Sequence, residues 1–260
     1  MRVEVLVNHS FRLAESPLLD WESGDLYWVD IEGNAIYRLS SGREEKLLSV
    51  RTPTTLAFSV DRELVYTSFR SVVYEGRTWS LDEEGVRFND GKCSPEGEFW
   101  VGTMDLEERR PIGKLYSFDG RKFRELVKGL TVSNGMDWLD DEFYLIDSPR
   151  RTILVFSYPS MKLKRTIDTS LIPGVPDGMT IDEQGRLWVA HYGGGLISVW
   201  NGGKLEMSIE IPVKLVTSVA LGVNEAFVTT SGRDGVGGQV YRIEAEVRGR
   251  KPFTCDFSKS

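Results

Sequence analysis

A chain of 260 residues with formal net charge −7 and no block of Lys or Arg offers no basic footprint for nucleic acid. No apolar run is long enough to span a bilayer, and Met1 to Asn8, which mixes Arg2 and Glu4 into an apolar strand pattern, lacks the apolar core of a signal peptide. A strand-rich chain of this length can be one domain with a sizeable core. The two cysteines, Cys93 and Cys255, are far apart and have no metal-type spacing, so they are expected as free thiols in a reducing cytoplasm. The scarcity of glutamine, limited to Gln184 and Gln239, leans toward a heat-adapted source.

In chain order, the strand pattern Val3 to Val7 comes first and belongs to no complete repeat. A repeat then begins at Glu15 (Glu-Ser-Pro-Leu-Leu-Asp-Trp-Glu-Ser-Gly-Asp-Leu-Tyr27). It returns at Asn89 (Asn-Asp-Gly-Lys-Cys-Ser-Pro-Glu-Gly-Glu-Phe-Trp100), at Asn134, one residue shorter, and at Asp177 (Asp-Gly-Met-Thr-Ile-Asp-Glu-Gln-Gly-Arg-Leu-Trp188). Fainter copies begin at Thr54 and Thr217, so the six starts lie about forty residues apart. Each unit continues into further short strands between Gly, Asn, Asp and Pro turns; after Asp177 these are Leu187 to His191, Gly195 to Trp200 and Leu205 to Ile211. Four short strands per unit predict an all-β six-bladed β-propeller over residues 1–260, with Val3 to Val7 completing the last blade. The polar tail from Arg248 to Ser260 is expected to be partly loose.

Blades are related by rotation, so residues in the same phase form a ring around the channel. Here that ring is Glu15, Thr54, Asn89, Asn134, Asp177 and Thr217, and all six carry oxygen. Converging carboxylates repel unless a cation neutralises them. With His9 and His191 the sole histidines, oxygen ligation of one divalent ion is expected, Ca²⁺ first and Mg²⁺, Mn²⁺ or Zn²⁺ as alternatives. The plainer reading of any one of these residues is a turn cap. His191 is expected as an ordinary hydrogen-bonded histidine.

The stretches Ala14-Glu-Ser-Pro17, Arg87-Phe-Asn-Asp-Gly-Lys92, Gly102-Thr-Met104, Ser133-Asn-Gly-Met-Asp-Trp138, Pro176-Asp-Gly-Met179 and Leu187-Trp-Val-Ala190 together resemble the SMP-30/gluconolactonase family, which includes regucalcin and the luciferin-regenerating enzyme. The resemblance implies a six-bladed propeller in which Glu15, Asn134 and Asp177 hold one divalent metal. It also implies that Arg87 and Asn89 bind substrate oxygens, with Glu107 as a further substrate contact. Lactone opening needs an electrophile, an activated water and oxyanion support, which a metal with open positions supplies, with Asp177 as general base. Two histidines and no Gly-x-Ser-x-Gly elbow argue against a Ser-His-Asp triad.

The expectation is therefore a cytoplasmic lactonase of the gluconolactonase type acting on a small-molecule lactone, with no nucleic-acid or membrane partner. A phosphotriesterase-like hydrolase or a calcium-binding or protein-binding platform stands as the alternative. The mouth loops Glu107 to Ile112, Ser148 to Arg151, Tyr192 to Leu196 and Gly232 to Gly238 are expected to set the substrate.

Overall fold

The computed structural model describes residues 1–259. Strand β1 (Arg2–Val7) stands alone at the start of the chain. Blade 1 follows as β2 (Ala14–Leu19), β3 (Leu26–Asp30), β4 (Ala35–Ser40) and β5 (Arg43–Ser49). Blade 2 is β6 (Leu56–Phe58), β7 (Leu64–Ser68), β8 (Ser71–Tyr74) and β9 (Arg77–Ser80). Blade 3 is β10 (Val86–Cys93), β11 (Phe99–Asp105), β12 (Gly113–Phe118) and β13 (Phe123–Leu130). Blade 4 is β14 (Ser133–Leu139), β15 (Glu142–Asp147), β16 (Thr152–Ser157) and β17 (Lys162–Asp168). Blade 5 is β18 (Val175–Ile181), β19 (Leu187–Tyr192), β20 (Leu196–Asn201) and β21 (Lys204–Glu210). Blade 6 is β22 (Val216–Leu221), β23 (Val223–Thr230) and β24 (Val240–Arg248), with β1 as its outer strand.

Each blade is an antiparallel four-stranded sheet, and the six innermost strands contact one another in sequence until β22 meets β2. This is a six-bladed propeller, closed by β1 pairing with β24 from Arg2↔Glu244 to Val7↔Val240. Closure removes the open faces that an isolated blade would expose. The second strands show the result: β3 and β11 are buried along their whole length, because a neighbouring blade covers each face. Aromatic residues fill the layers between blades, with Trp28 and Trp188 of second strands and Trp138 of the innermost strand β14 almost fully buried.

The innermost strands run from an upper mouth to a lower mouth, and five of them break register near the upper end, β22 doing so at Thr217. Ser16-Pro17, Asn89-Asp90, Asn134-Gly135 and Asp177-Gly178 each oppose a single residue of the next strand. These are β-bulges, which bend a strand and re-aim its side chains. The Asn-Gly and Asp-Gly pairs that would suggest hairpin turns therefore sit inside strands. They need glycine because neighbouring blades approach closely: a Cβ on Gly135 would lie 2.4 Å from Met179 N, and one on Gly178 would lie 2.1 Å from Ser218 Oγ.

Two expectations are overturned. Cys93 and Cys255 are joined in a disulfide, so neither is a free thiol and the thiol argument for a reducing compartment falls away. The tail is ordered through the described residues, because it crosses the lower mouth and bonds to the blades it passes. Gly249 bridges Asp182 of blade 5, and Arg250 Nη1 donates to Trp138 O of blade 4 at 2.6 Å. Phe253 packs into apolar clusters of blades 3 and 4. Cys255 pairs with blade 2 through Phe58 O and Val60 N, both at 2.9 Å. No helix of the described residues is long and apolar enough to cross a membrane.

Candidate metal centre and active-site cavity

A cavity of about 300 Å³ opens at the upper mouth, and Glu15, Arg87, Asn89, Asn134 and Asp177 all line it. They come from blades 1, 3, 4 and 5, from β2, β10, β14 and β18. Asn134 donates from Nδ2 to Ser148 Oγ at 3.1 Å, which leaves its carbonyl oxygen for a ligand. Asn89 donates to Ser133 O at 2.8 Å and accepts from Arg87 Nη1 at 2.9 Å. Arg87 also donates to Phe88 O, and no described carboxylate forms an ion pair with it. Burial pushes its guanidinium down to about 10, helped by Arg233 and opposed by Glu108.

The two threonines of the ring stay out of the cavity. Thr54 Oγ1 donates to Asn89 O at 2.7 Å, and Thr217 Oγ1 donates to Ala14 O at 2.6 Å. Both hydroxyls therefore tie one blade to the next. Glu107 is also displaced: it is exposed, and Glu108 lines the cavity in its place. The loop after β11 is wound around Asp105, which accepts N–H bonds from Arg109 and Arg110 and an ion pair from Arg110. Glu108 N bonds Asp105 O, and Glu108 takes a left-handed φ of 58°, so the chain reverses there. The other mouth loops contribute Pro149, Tyr192 and Arg233. Arg233 is held by Glu32, with Nε at 2.9 Å from Oε1. None of these residues lies in a recurring phase of the repeat, so the repeat gave no signal for them individually. His191 is buried and bonds Ser198 Oγ through Nε2 at 2.7 Å, and burial pushes it down to about 4.

The buried carboxylates of this protein fall into two groups. Asp30 accepts backbone N–H bonds from Arg12, Leu13 and Gly33. Asp147 accepts from Thr131 and Val132 and pairs with Arg150, and Asp182 pairs with Arg186. Glu15 and Asp177 have no ion pair among the described residues. Glu15 accepts one bond, from its neighbour Ser16 N at 2.8 Å, and the Asn134 side chain is the partner of Asp177. Burial raises both carboxyls well above their ordinary values; Asp177 and Asp90 add repulsion at Glu15, and Asp90 does so at Asp177. A buried charge without a partner is costly. Two carboxylates without an ion pair and an amide oxygen fit a hard divalent ion, since Arg87 near Glu15 and Arg233 near Asp177 lower the carboxyls less than burial raises them. The described residues contain no group of three His, Cys, Asp or Glu side chains placed to hold a metal, so any such site here is a mixed carboxylate and amide one.

Fold and cavity define a six-bladed propeller with an acidic pocket at one channel mouth. The model of the SMP-30/gluconolactonase/LRE-like region matches residues 13–232, and the chain belongs to that family. An uncharacterized protein of Sulfolobus acidocaldarius is 34% identical, over 97% of this chain and 99% of its own length. The pentonolactonase XacC of Haloferax volcanii is 28% identical, over 98% and 99% of the two chains. A solved luciferin-regenerating enzyme superposes with a TM-score of 0.89 at 25% identity, covering 98% of this chain and 99% of that one.

Proposed function

We propose that this protein is a metal-dependent hydrolase that opens sugar lactones of the aldonolactone type. The observation that carries the reading is the pair Glu15 and Asp177, buried at one cavity beside Asn134 and without an ion pair among the described residues. The lactonase name of a relative matched over almost its whole length supports the substrate class.

Glu15, Asn134 and Asp177 would hold the ion, Ca²⁺ first on ligand chemistry and Zn²⁺, Mg²⁺ or Mn²⁺ otherwise. Such an ion, when bound, supplies Lewis-acid polarisation of a carbonyl and charge to stabilise an oxyanion. Asp177 accepts a proton from the attacking water, whose oxygen forms the new bond to the lactone carbonyl carbon. The ring C–O bond then breaks, the ring oxygen takes up the proton, and a hydroxy acid leaves. Arg87 orients sugar oxygens with the guanidinium nitrogens that Phe88 O and Asn89 do not use. Asn89 keeps a second N–H for the same purpose.

The test is a panel of five- and six-membered aldonolactones read by acid release, with and without chelator. Hydrolysis abolished by chelation and restored by added divalent ion is the expected result. Cleavage of a phosphotriester with no lactone opened would move the assignment to that ester class. Neither activity in metal-loaded protein would leave a binding platform.

A further inference from the structure

Below the cavity, the channel contains an ammonium group in a setting that resembles a cation site. Lys92 Nζ lies 2.9 Å from Asp137 Oδ2 and 3.4 Å from Met179 O. The Lys92 side chain is three-quarters buried and that of Asp137 is 9% exposed. Asp137 is oriented by blade 5 and its own strand: Oδ2 accepts from Ile181 N at 3.0 Å and Thr180 Oγ1 at 3.2 Å, and Oδ1 accepts one bond, from Trp138 N. Asp90 faces the same cavity of about 80 Å³. Burial raises its carboxyl, and the largest opposing influence is Lys92.

We infer that Lys92 is the resident cation of the lower channel, occupying a position whose oxygen donors would otherwise hold a second divalent ion. It thereby limits the protein to one ion, at the upper mouth. Among the described residues Lys92 is the only cation that forms an ion pair with Asp137, and the Asp90 carboxylate lines the same cavity. The donors around Nζ are hard oxygens, one carboxylate and one carbonyl, with the Asp90 carboxylate beside them; this is the chemistry that binds Ca²⁺ or Mn²⁺. An ammonium meets such donors with three N–H groups and needs no dehydrated ion from solution. The same lysine also ties three inner strands together. Lys92, Asp137 and Thr180 each lie three residues below a residue of the upper cavity, Asn89, Asn134 and Asp177.

The inference rests on the metal centre proposed above, and its test separates the two. Full-length wild type, Lys92→Ala and Lys92→Met are dialysed to equilibrium against Ca²⁺, and bound calcium is measured by elemental analysis. Lys92→Ala vacates space and charge together, so it should bind one more equivalent than wild type. Lys92→Met keeps the space filled and should bind the wild-type number. Adding Asp137→Asn to Lys92→Ala should remove the extra equivalent. A folded Lys92→Ala with wild-type stoichiometry overturns the inference. If Lys92→Ala does not fold in metal-free buffer, recovery of the fold in Ca²⁺ supports it and failure to recover overturns it. Wild type binding no calcium would instead sink the upper metal centre, and a gain of one equivalent in Lys92→Ala would still stand.

Discussion

The two ends of the channel solve one electrostatic problem in different ways. At the lower end, Asp137 is satisfied entirely by the protein: Lys92 supplies the charge, blade 5 supplies N–H and O–H donors, and the tail crosses the mouth below. At the upper end, Glu15 and Asp177 form no ion pair among the described residues, and the cavity opens to solvent. A fully satisfied buried network stabilises a fold, whereas a half-satisfied one costs stability unless a ligand completes it. The lower end is therefore built for structure, and the upper end is the one proposed to bind.

That contrast can be broken most sharply at Asp177. Asp177→Asn keeps an oxygen for the metal but cannot take a proton, and should lower kcat on a lactone by roughly 10²- to 10⁴-fold. A variant with near-wild-type rate and full metal would reduce Asp177 to a ligand. Asp177→Ala should lose the metal by elemental analysis, yet its metal-free form should unfold at no lower urea concentration than metal-free wild type, since a buried repulsion is removed. The lower end should behave oppositely. Cys93→Ser with Cys255→Ser should cost about 2–4 kcal/mol in urea unfolding, with the number of metal ions bound unchanged. Loss of metal in that variant would show that the two ends are coupled.

Arg87→Ala should sharpen the contrast in kinetics. Losing a charged hydrogen bond costs about 1.5–3 kcal/mol, which appears as a roughly ten- to hundred-fold drop in kcat/KM. An unchanged kcat/KM would remove Arg87 from the substrate contacts. The smallest effect concerns His191, which belongs to neither end. Its folded pKa is about 4 against 6.5 unfolded, so below pH 6.5 the unfolded chain binds more protons and stability falls as pH falls toward 4. Between pH 7 and 5 this amounts to about 2 kcal/mol. His191→Gln should lack that part of the slope in urea midpoints measured across this range.

The repeat made the ring legible because rotation converts a shared phase into a shared place. Glu15, Asn134 and Asp177 could be picked out for that reason, and so could Asn89. The same rule over-reached at Thr54 and Thr217, whose hydroxyls are consumed by Asn89 O and Ala14 O of adjacent blades. Phase cannot tell a donor spent between blades from one that faces the channel. Glu108 was missed in favour of Glu107 because a turn built on Asp105 and a left-handed residue decides which neighbour points inward.

The disulfide was illegible for a similar reason: Cys93 and Cys255 are 162 residues apart, and no local pattern places them 5.2 Å apart at Cα. Strand number, blade count and the polar ring were determined by the sequence itself, because hydrophobic periodicity and turn residues act over a few positions and repeat. Which ring oxygens remain free, which carboxylates lack an ion pair and where the tail ends were decided by the closed ring. Those properties depend on partners contributed by other blades, and such partners meet only when β1 pairs with β24 and the channel forms.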